Sequence, residues 1–355
     1  MPTRRCGKLS LIMNRRQFNQ RTLAGAAALV LPRAICAAQL PRAGRPYRYV
    51  HLDVFTDRRL AGNQLLVFLQ PAELDTDAML ALTRESNYSE CTFVFPPEQA
   101  GIDHRVRIFT RTAETPFAGH PTIGTAFALA HGGVLARGAT KTTFGLGVGP
   151  TNIDLEWKGS QLAFAWMTQL RPTFGKTIDD AIALAAAIGV DSSAVRVNPA
   201  AAATVPAAQE VNCGSTFLIV PLATRKAVDA AVLDRAKLDA VLAAAGLQRR
   251  GVYVVSTERG QDDATVYSRL VGTGGIEDPA TGSAAGPAGC FLVKHGLVPP
   301  DTTGAPIVFL QGVQVRRPSR IHVRIATSAD REISSVKVGG TAVVVGEGSM
   351  ALPGN

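Results

Sequence analysis

Two short motifs carry residues whose types and spacing are suited to chemistry. ETPFAGHPTIGTA (residues 114–126) and EDPATGSA (residues 277–284) both read Glu-x-Pro-x-x-Gly, followed by His or Ser, and each opens into a run of small residues. A helix N-terminus presents unpaired backbone N–H groups and the positive end of the helix dipole, and glycine there lets a ligand approach closely. We therefore expect Gly119, Gly282 and Ser283 to hold a small carboxylate at two facing helix N-termini.

The same motifs can also be interpreted as ordinary helix starts. Asp278 before Pro279 is typical of an N-cap followed by proline at the first helical position. Capping, however, requires neither His120 nor Ser283. The repetition of the motif therefore favours a binding function.

Three residues are candidates for moving protons, namely Glu90, His120 and Asp278. Glu90 lies in NYSECTFV, where a helical pattern ends and a strand pattern begins. A single acidic residue at a strand start is usually solvated, and a single histidine is often an ordinary core or surface residue. Together, the three would supply acid and base groups beside backbone donors able to stabilise an enolate. Their spacing along the chain leaves open whether they meet.

The elements that must position these residues are mostly strands. Period-2 alternation predicts strands such as YRYVHLDVF, SECTFVF and HRVRIFTR, and helical periodicity predicts a few short helices such as DTDAMLALTRES. An Arg-containing strand pattern precedes each motif, and His-Gly follows each predicted central helix, which indicates an internal duplication. This mixture favours an α+β fold over a doubly wound parallel sheet. The Ala-rich residues 199–209 are predicted to form a surface loop.

The charge of the chain excludes one class of partner. The 355 residues carry a formal charge of +9, but seven of the basic residues lie in residues 1–38, which contain no Asp or Glu. The remaining chain carries +2. A nearly neutral body does not suit nucleic acid, so no nucleic-acid partner is expected.

Residues 1–38 have the order of a twin-arginine export leader. NRRQFNQ is followed by the apolar run TLAGAAALVL and then by the small residues AICAA. The apolar run is too short to serve as a stable membrane anchor. We expect export to the periplasm or the medium, with Met13 as an alternative start. The alternative interpretation is a disordered basic tail.

The cysteines outside the leader suggest no special chemistry. Cys91, Cys213 and Cys290 are odd in number and have no CxxC spacing. This pattern predicts neither a disulfide framework nor a zinc site. Their apolar surroundings are typical of small buried residues.

Several blocks, taken in order, resemble the phenazine-biosynthesis isomerase family, the PhzF-like proteins. The blocks are HLDVFTDRRLAGNQLLVF, SECTFVF, RIFTRTAETPFAGHPTIGTA, EDPATGSA and QGVQVRRPS, and the resemblance covers nearly all of residues 47–350. It implies a diaminopimelate-epimerase-like α+β fold of two similar domains, each a β-structure wrapped around a central helix, with the active site in the cleft between them. The implied domains are residues 47–160, joined by a C-terminal strand at about 337–350, and residues 161–336. A homodimer without cofactor or metal is also implied.

The resemblance assigns roles to individual residues. It implies that Glu90, His120 and Asp278 are catalytic, with Glu90 taking a proton from carbon. It implies that Ser89, Gly119, Gly282 and Ser283 bind the substrate. The chain departs from the family at Gln64, where proline usually follows Gly-Asn, and around residues 190–212, which form a longer segment.

The leading hypothesis from the sequence is a cofactor-independent isomerase of a small carboxylated substrate, of the dihydro-hydroxyanthranilate isomerase type. A racemase or epimerase of another amino or hydroxy acid would need the same acid and base groups. A catalytically silent protein that binds a small acid is the alternative from another class. The three candidate acid–base residues favour an enzyme, because ligand capture alone does not need them.

Overall fold

The structure is a computed structural model that describes residues 45–71, 74–195, 205–272, 277–301 and 305–353. The predicted leader, residues 1–38, lies outside the described residues. The helices are α1 (Thr76–Ser86), α2 (Gly119–His131), α3 (Ala181–Ile188), α4 (Arg225–Ala230), α5 (Arg235–Ala244) and α6 (Gly282–Lys294), with a 3-10 turn at Ser192–Val195.

The strands in the first part of the chain are β1 (Pro46–Val54), β2 (Asn63–Leu69), β3 (Glu90–Phe95), β4 (His104–Thr110), β5 (Glu114–Thr115), β6 (Lys141–Leu146), β7 (Gly149–Lys158) and β8 (Gln161–Thr168). The later strands are β9 (Thr173–Ile178), β10 (Ala208–Asn212), β11 (Thr216–Pro221), β12 (Gly251–Ser256), β13 (Val266–Val271), β14 (Ile307–Gln311), β15 (Ser319–Thr327), β16 (Ile333–Gly340) and β17 (Ala342–Ala351).

The strands of the described residues form one continuous sheet whose two halves repeat the same order. The first half runs β17-β1-β2-β3-β4-β6-β7-β8, and the second runs β9-β10-β11-β12-β13-β14-β15-β16. In each half the third and fourth strands pair in parallel, and so do the fifth and sixth. Antiparallel pairing of β8 with β16 joins the halves. The motif repeated in the sequence thus lies within a repeated strand order.

Within this order, seven strands repeat, β1-β2-β3-β4-β6-β7-β8 and β10 to β16, and the strand after each set pairs with the first strand of the other set. β9 comes directly after β8 but pairs with β10, and β17 comes directly after β16 but pairs with β1. Each set of seven strands is therefore extended by the strand that follows the other set. Residues 43–355 form one compact unit by their contacts, and the domain boundaries near 160 and 336 stay predictions.

A buried helix lies at the centre of each half. Residues Gly119 through Leu129 of α2 are all buried, and α6 is buried over most of its length. Small residues make this possible: a Cβ on Gly124 would lie 2.5 Å from a methyl carbon of Leu65, and one on Gly289 would lie 2.9 Å from a methyl carbon of Val323. The helices can approach the sheet closely only because these side chains are absent.

The fold class predicted from the sequence is confirmed as α+β, with a large sheet and few helices. The predicted loop at residues 199–209 is partly wrong. Residues 199–204 lie outside the described residues, but β10 begins at Ala208, which is fully buried between β9 and β11. Alanine is somewhat disfavoured in strands, but strand propensity depends strongly on context, and pairing with β9 and β11 overrode the local composition.

Candidate active site

Glu90 is placed by the end of α1 and the start of β3. Asp75 caps α1 by accepting the backbone N–H of Ala78 at 2.8 Å, and Asn87 ends the helix in the left-handed conformation. Three residues after Asn87 the chain enters β3 with Glu90. The Glu90 side chain is 21% exposed, and its Oε2 makes no hydrogen bond to any described residue.

His120 is the second residue of α2 and is 3% exposed. Its Nε2 lies 3.7 Å from Glu90 Oε2 and has no hydrogen-bond partner among the described residues. Burial lowers the pKa of His120 to about 3, although the backbone of Gln64 acts in the opposite direction. The imidazole is therefore neutral at any physiological pH.

Asp278 lies in the short segment that leads into α6. Its Oδ1 accepts a hydrogen bond from Asn63 Nδ2 at 2.6 Å, and its Oδ2 accepts one from the Thr281 hydroxyl at 2.6 Å. Thr281, not Asp278, is the N-cap residue of α6. The interpretation of Asp278-Pro279 as a helix cap is therefore wrong, because the carboxylate points to a side-chain amide and a hydroxyl and not to N–H groups of the helix.

Two partly buried carboxyl groups thus share the site with perturbed pKa values. Burial and the charge of Asp278 raise the pKa of Glu90 to about 8. Burial also raises the pKa of Asp278, to about 6, with the charge of Glu277 acting in the same direction. The hydrogen bonds from Thr281 and Asn63 oppose that rise. At neutral pH the pair holds a proton mainly on Glu90, which has fewer donors around it.

The N-termini of α2 and α6 meet beside these groups. A Cβ on Gly119 would lie 2.7 Å from Gly282 Cα and from the backbone nitrogen of Ser283. At neither N-cap residue, Ala118 or Thr281, does the side chain accept a hydrogen bond from a backbone N–H of its helix. The first-turn N–H groups therefore have no side-chain acceptor and can bind an anion. Contact between the helices requires glycine on both sides.

Asn63 is a site residue that was missed by reasoning from the sequence. It begins β2, is 2% exposed, and its Nδ2 lies 2.6 Å from Asp278 Oδ1, 2.9 Å from the Ala280 carbonyl oxygen and 3.1 Å from His120 Nδ1. Its Oδ1 accepts the Ser89 hydroxyl at 3.3 Å. One amide thus contacts four residues from three segments of the site. The only available signal was its position in the block LAGNQLLVF.

Gln311 is a second missed residue. Its Nε2 donates to the Asp278 backbone carbonyl at 2.9 Å and to the Thr281 hydroxyl at 3.0 Å, while its Oε1 accepts the backbone N–H of Thr281 at 3.0 Å and the hydroxyl of Tyr253 at 2.9 Å. Gln311 is fully buried. It therefore fixes the backbone from Asp278 to Thr281.

An ion pair holds the segment before Asn63. Arg317 binds the carboxylate of Asp53, which is 1% exposed, and donates to the backbone carbonyls of Ala61 and Gly62 at 2.8 Å each. Arg317 belongs to QGVQVRRPS, far along the chain from Asp53. The pair ties the start of β2 to the loop after β14.

Comparison with known proteins identifies the family. The sequence profile of the PhzC-PhzF family, described as phenazine biosynthesis-like protein, matches residues 52–348. The chain is 35% identical over 311 residues to the trans-2,3-dihydro-3-hydroxyanthranilate isomerase of Pseudomonas aeruginosa, covering 86% of this chain and 100% of the relative. This chain belongs to the PhzC-PhzF family.

Solved structures agree with this assignment. A predicted epimerase from Pseudomonas aeruginosa superposes with a TM-score of 0.69 at 33% identity, over 86% of this chain and 99% of that one. A PhzF-family phenazine biosynthesis protein from Bacillus anthracis superposes with a TM-score of 0.73 at 22% identity, over 87% of this chain and 100% of that one, and shows the shared fold. The chain is an enzyme, an isomerase of the PhzF type.

Within this PhzF-type isomerase, the structure brings together most of the residues that the sequence singled out. Glu90 faces His120, Asp278 acts on Glu90 by its charge, and Gly119, Gly282 and Ser283 meet at the helix N-termini. Ser89 contacts Asn63. Among the described residues, no group of three or more His, Cys, Asp and Glu side chains is arranged to hold a metal ion. None of the described helices is long and apolar enough to cross a membrane.

Proposed function

We propose that this isomerase moves a proton between two carbon atoms of a small cyclic carboxylic acid, with Glu90 as the carbon base. The observation that carries the proposal is the pair Glu90 Oε2 and His120 Nε2, 3.7 Å apart and both without another partner among the described residues. They lie beside two helix N-termini that lack side-chain caps. A base, a polar N–H-bearing ring and anion-binding backbone groups are what an enolate-forming reaction needs.

The proposed steps balance without a redox partner. The substrate carboxylate binds the first-turn N–H groups of α2 and α6. Ionised Glu90 accepts a proton from a carbon atom, and the C–H electron pair is delocalised as an enolate towards the N–H donors. Glu90 then returns a proton to a different carbon of the same molecule, either directly or by first passing it to Asp278, which delivers it to that carbon.

The substrate class is proposed from chemistry and from one relative. Trans-2,3-dihydro-3-hydroxyanthranilate is the substrate named for the Pseudomonas aeruginosa relative at 35% identity. It is a cyclic carboxylic acid with ring carbons that can lose and gain protons. We propose that this chain acts on a related hydroxy- or amino-substituted cyclic acid.

Solvent-deuterium incorporation tests this proposal. The enzyme is incubated in D2O with dihydro-hydroxyanthranilate and with a panel of hydroxy- and amino-substituted cyclic acids, and proton NMR locates the deuterium. An isomerase places deuterium on a carbon other than the one that lost its proton. If every acid in the panel binds but none is isomerised and none gains deuterium, the chain is a binding protein and the proposal fails.

Epimerisation is the second candidate, because the Pseudomonas aeruginosa structure at 33% identity is named a predicted epimerase. The same deuterium experiment separates the two reactions. An epimerase returns deuterium to the carbon that lost the proton and inverts its configuration. Chiral chromatography of the product would show the inversion.

We propose export through the twin-arginine pathway, supported by the pattern at Arg15 and Arg16 and by the basic, acid-free residues 1–38. Changing Arg15 and Arg16 together to Lys should leave the protein in the cytoplasm of a bacterial host. Residues 1–38 offer a matched control in their second adjacent arginine pair, Arg4 and Arg5, whose change to Lys should not affect export. Equal periplasmic amounts of both double variants would contradict the proposal.

We also propose a homodimer and the domain division at about residues 160 and 336. The resemblance to PhzF-like proteins supports both. Light scattering after size exclusion would give the mass of the protein in solution, against 37.3 kDa for one chain. A single-chain mass at micromolar concentration would contradict the dimer.

A further inference from the structure

The side-chain amide of Asn63 has one orientation that satisfies its surroundings. The Ala280 backbone carbonyl, 2.9 Å from Nδ2, can only accept a hydrogen bond. Asp278 Oδ1, 2.6 Å from Nδ2, accepts as well, and the Ser89 hydroxyl lies 3.3 Å from Oδ1. Turning the amide over would place its oxygen against two other oxygen atoms. The nitrogen of Asn63 therefore faces His120.

This orientation decides which nitrogen of His120 carries the proton. Asn63 Nδ2 lies 3.1 Å from His120 Nδ1, and an amide nitrogen donates but does not accept. A hydrogen on Nδ1 would point at another donor, so Nδ1 presents its lone pair. The backbone of Gln64 acts to raise the pKa of His120. Among the described residues, however, the atom within hydrogen-bond distance and geometry of Nδ1 is Nδ2 of Asn63, not a backbone atom of Gln64. The hydrogen of the neutral ring lies on Nε2.

We propose that Asn63 is a positioning residue that fixes His120 as a neutral Nε2–H donor, so that His120 stabilises developing negative charge and does not carry the transferred proton. The inference rests on the proposed function, because it assigns a role within that reaction. His120 Nε2, which carries this hydrogen, lies 3.7 Å from Glu90 Oε2. A ring with its only hydrogen on Nε2 cannot accept a proton there. Glu90 and Asp278 are left as the groups that exchange protons with carbon.

The tautomer can be measured without turnover. In protein labelled with 15N histidine, NMR distinguishes a protonated ring nitrogen from an unprotonated one, and the signals of His120 are those missing from His120→Gln. The chain has six histidines, so this assignment is practical. We expect protonated Nε2 and unprotonated Nδ1 between pH 6 and pH 9. Protonated Nδ1 in the wild-type protein would overturn the inference, whatever the activity of the enzyme.

Substitution of Asn63 tests the positioning role. Asn63→Leu keeps roughly the same size and removes both N–H donors, so Nδ1–H should become populated and kcat should fall by about 10²–10³, the scale of losing one preorganised donor. KM should change much less, because Asn63 does not touch the substrate in this mechanism. Asn152→Leu, on the exposed face of β7, is the matched control and should change neither the tautomer nor kcat. An unchanged His120 tautomer in folded Asn63→Leu would reject the positioning role.

Two substitutions of His120 separate a donor from a proton carrier. The amide N–H of Gln can reach the position of the imidazole Nε2–H, but an amide cannot pass a proton on. If His120 is a donor, His120→Gln should retain at least about ten times the kcat of His120→Ala, since a single donor is worth about 10²–10³. Equal kcat values for the two variants, with both folded, would show that His120 carries the proton. Failure of every substrate in the panel would reject the proposed function and leave the tautomer result standing.

Discussion

Replacing Glu90 by Gln removes the proposed base with little change of shape. The side chain is 21% exposed and its Oε2 has no hydrogen-bond partner among the described residues. A Gln oxygen can face His120 Nε2 as the carboxylate does, but it cannot accept a proton from carbon. Turnover should fall by about 10²–10⁴, the usual contribution of a general base, while substrate binding is retained.

The same substitution has a calculable effect on stability. Burial and the charge of Asp278 raise the pKa of Glu90 from 4.5 to about 8, so the folded protein holds this proton more tightly than the unfolded chain does. The contribution of this proton to the free energy of unfolding of the wild-type protein is therefore lost as pH rises from 4.5 to about 8. At about 1.4 kcal/mol per pKa unit, this interval corresponds to an upper limit of about 5 kcal/mol. The residual exposure of the side chain lowers the expected value to about 2 kcal/mol, because solvent screens the charge.

Two measurements check these effects. Deuterium incorporation at saturating substrate gives the turnover of both proteins, and urea unfolding at pH 4 and pH 9 gives their free energies of unfolding. Glu90→Gln should be as stable as wild type at pH 4 and more stable at pH 9. Glu98→Gln is the control, because Glu98 is exposed and pairs with Arg105 outside the site. It should affect neither quantity at either pH by more than experimental error.

The pH dependence of wild-type activity identifies the base independently. A base must be ionised, so kcat/KM should rise with pH through the pKa of Glu90, near 8. A rise through pH 6 instead would indicate Asp278 as the base, whose pKa is about 6. Deuterium exchange at equal rates in wild type and Glu90→Gln would refute the assignment of Glu90.

Two further substitutions test the packing around the site. Gly119→Ala places a Cβ 2.7 Å from the backbone of Gly282, so it should lower the free energy of unfolding by about 1–3 kcal/mol and remove most of the activity. Gly346→Ala is the control, because its Cβ would have no atom within 4 Å and should change neither thermal unfolding nor turnover. Asp53→Asn leaves the charge of Arg317 without its buried partner and should destabilise the protein by about 3–5 kcal/mol in urea unfolding. A loss below about 1 kcal/mol would show that the ion pair does not hold the start of β2.

Several features of the fold follow from local sequence patterns. Alternating side chains predicted β3 and β4, and the small-residue segments after the two motifs predicted the central helices. Hydrophobic periodicity and composition are local properties of the sequence, and they follow directly from which faces of a helix or strand are buried. The α+β class was therefore predictable from local patterns, and the PhzF family was predictable from the resemblance of the quoted sequence blocks. The strand β10 was not, because its alanine-rich start carries no strand signal and only pairing with β9 and β11 defines it.

Part of the site was predictable for the same reason. Glu90, His120 and Asp278 stand in motifs whose residue types suit proton transfer, and Gly119 and Gly282 stand at predicted helix starts. Asn63, Gln311 and the pair Asp53–Arg317 also lie in or next to quoted blocks, but asparagine, glutamine and an arginine are common on surfaces. Nothing local distinguishes them from solvated residues.

By itself, the sequence determined which chemical groups the chain carries and that its central motif occurs twice. Only the tertiary structure decided that Glu90 Oε2 and His120 Nε2 lie 3.7 Å apart and that one amide, that of Asn63, contacts Ser89, His120 and Asp278. The physical reason is the range of the interactions. Helix and strand patterns depend on neighbours a few residues away, whereas these contacts depend on the pairing of β8 with β16 and on how closely two glycines let α2 and α6 approach.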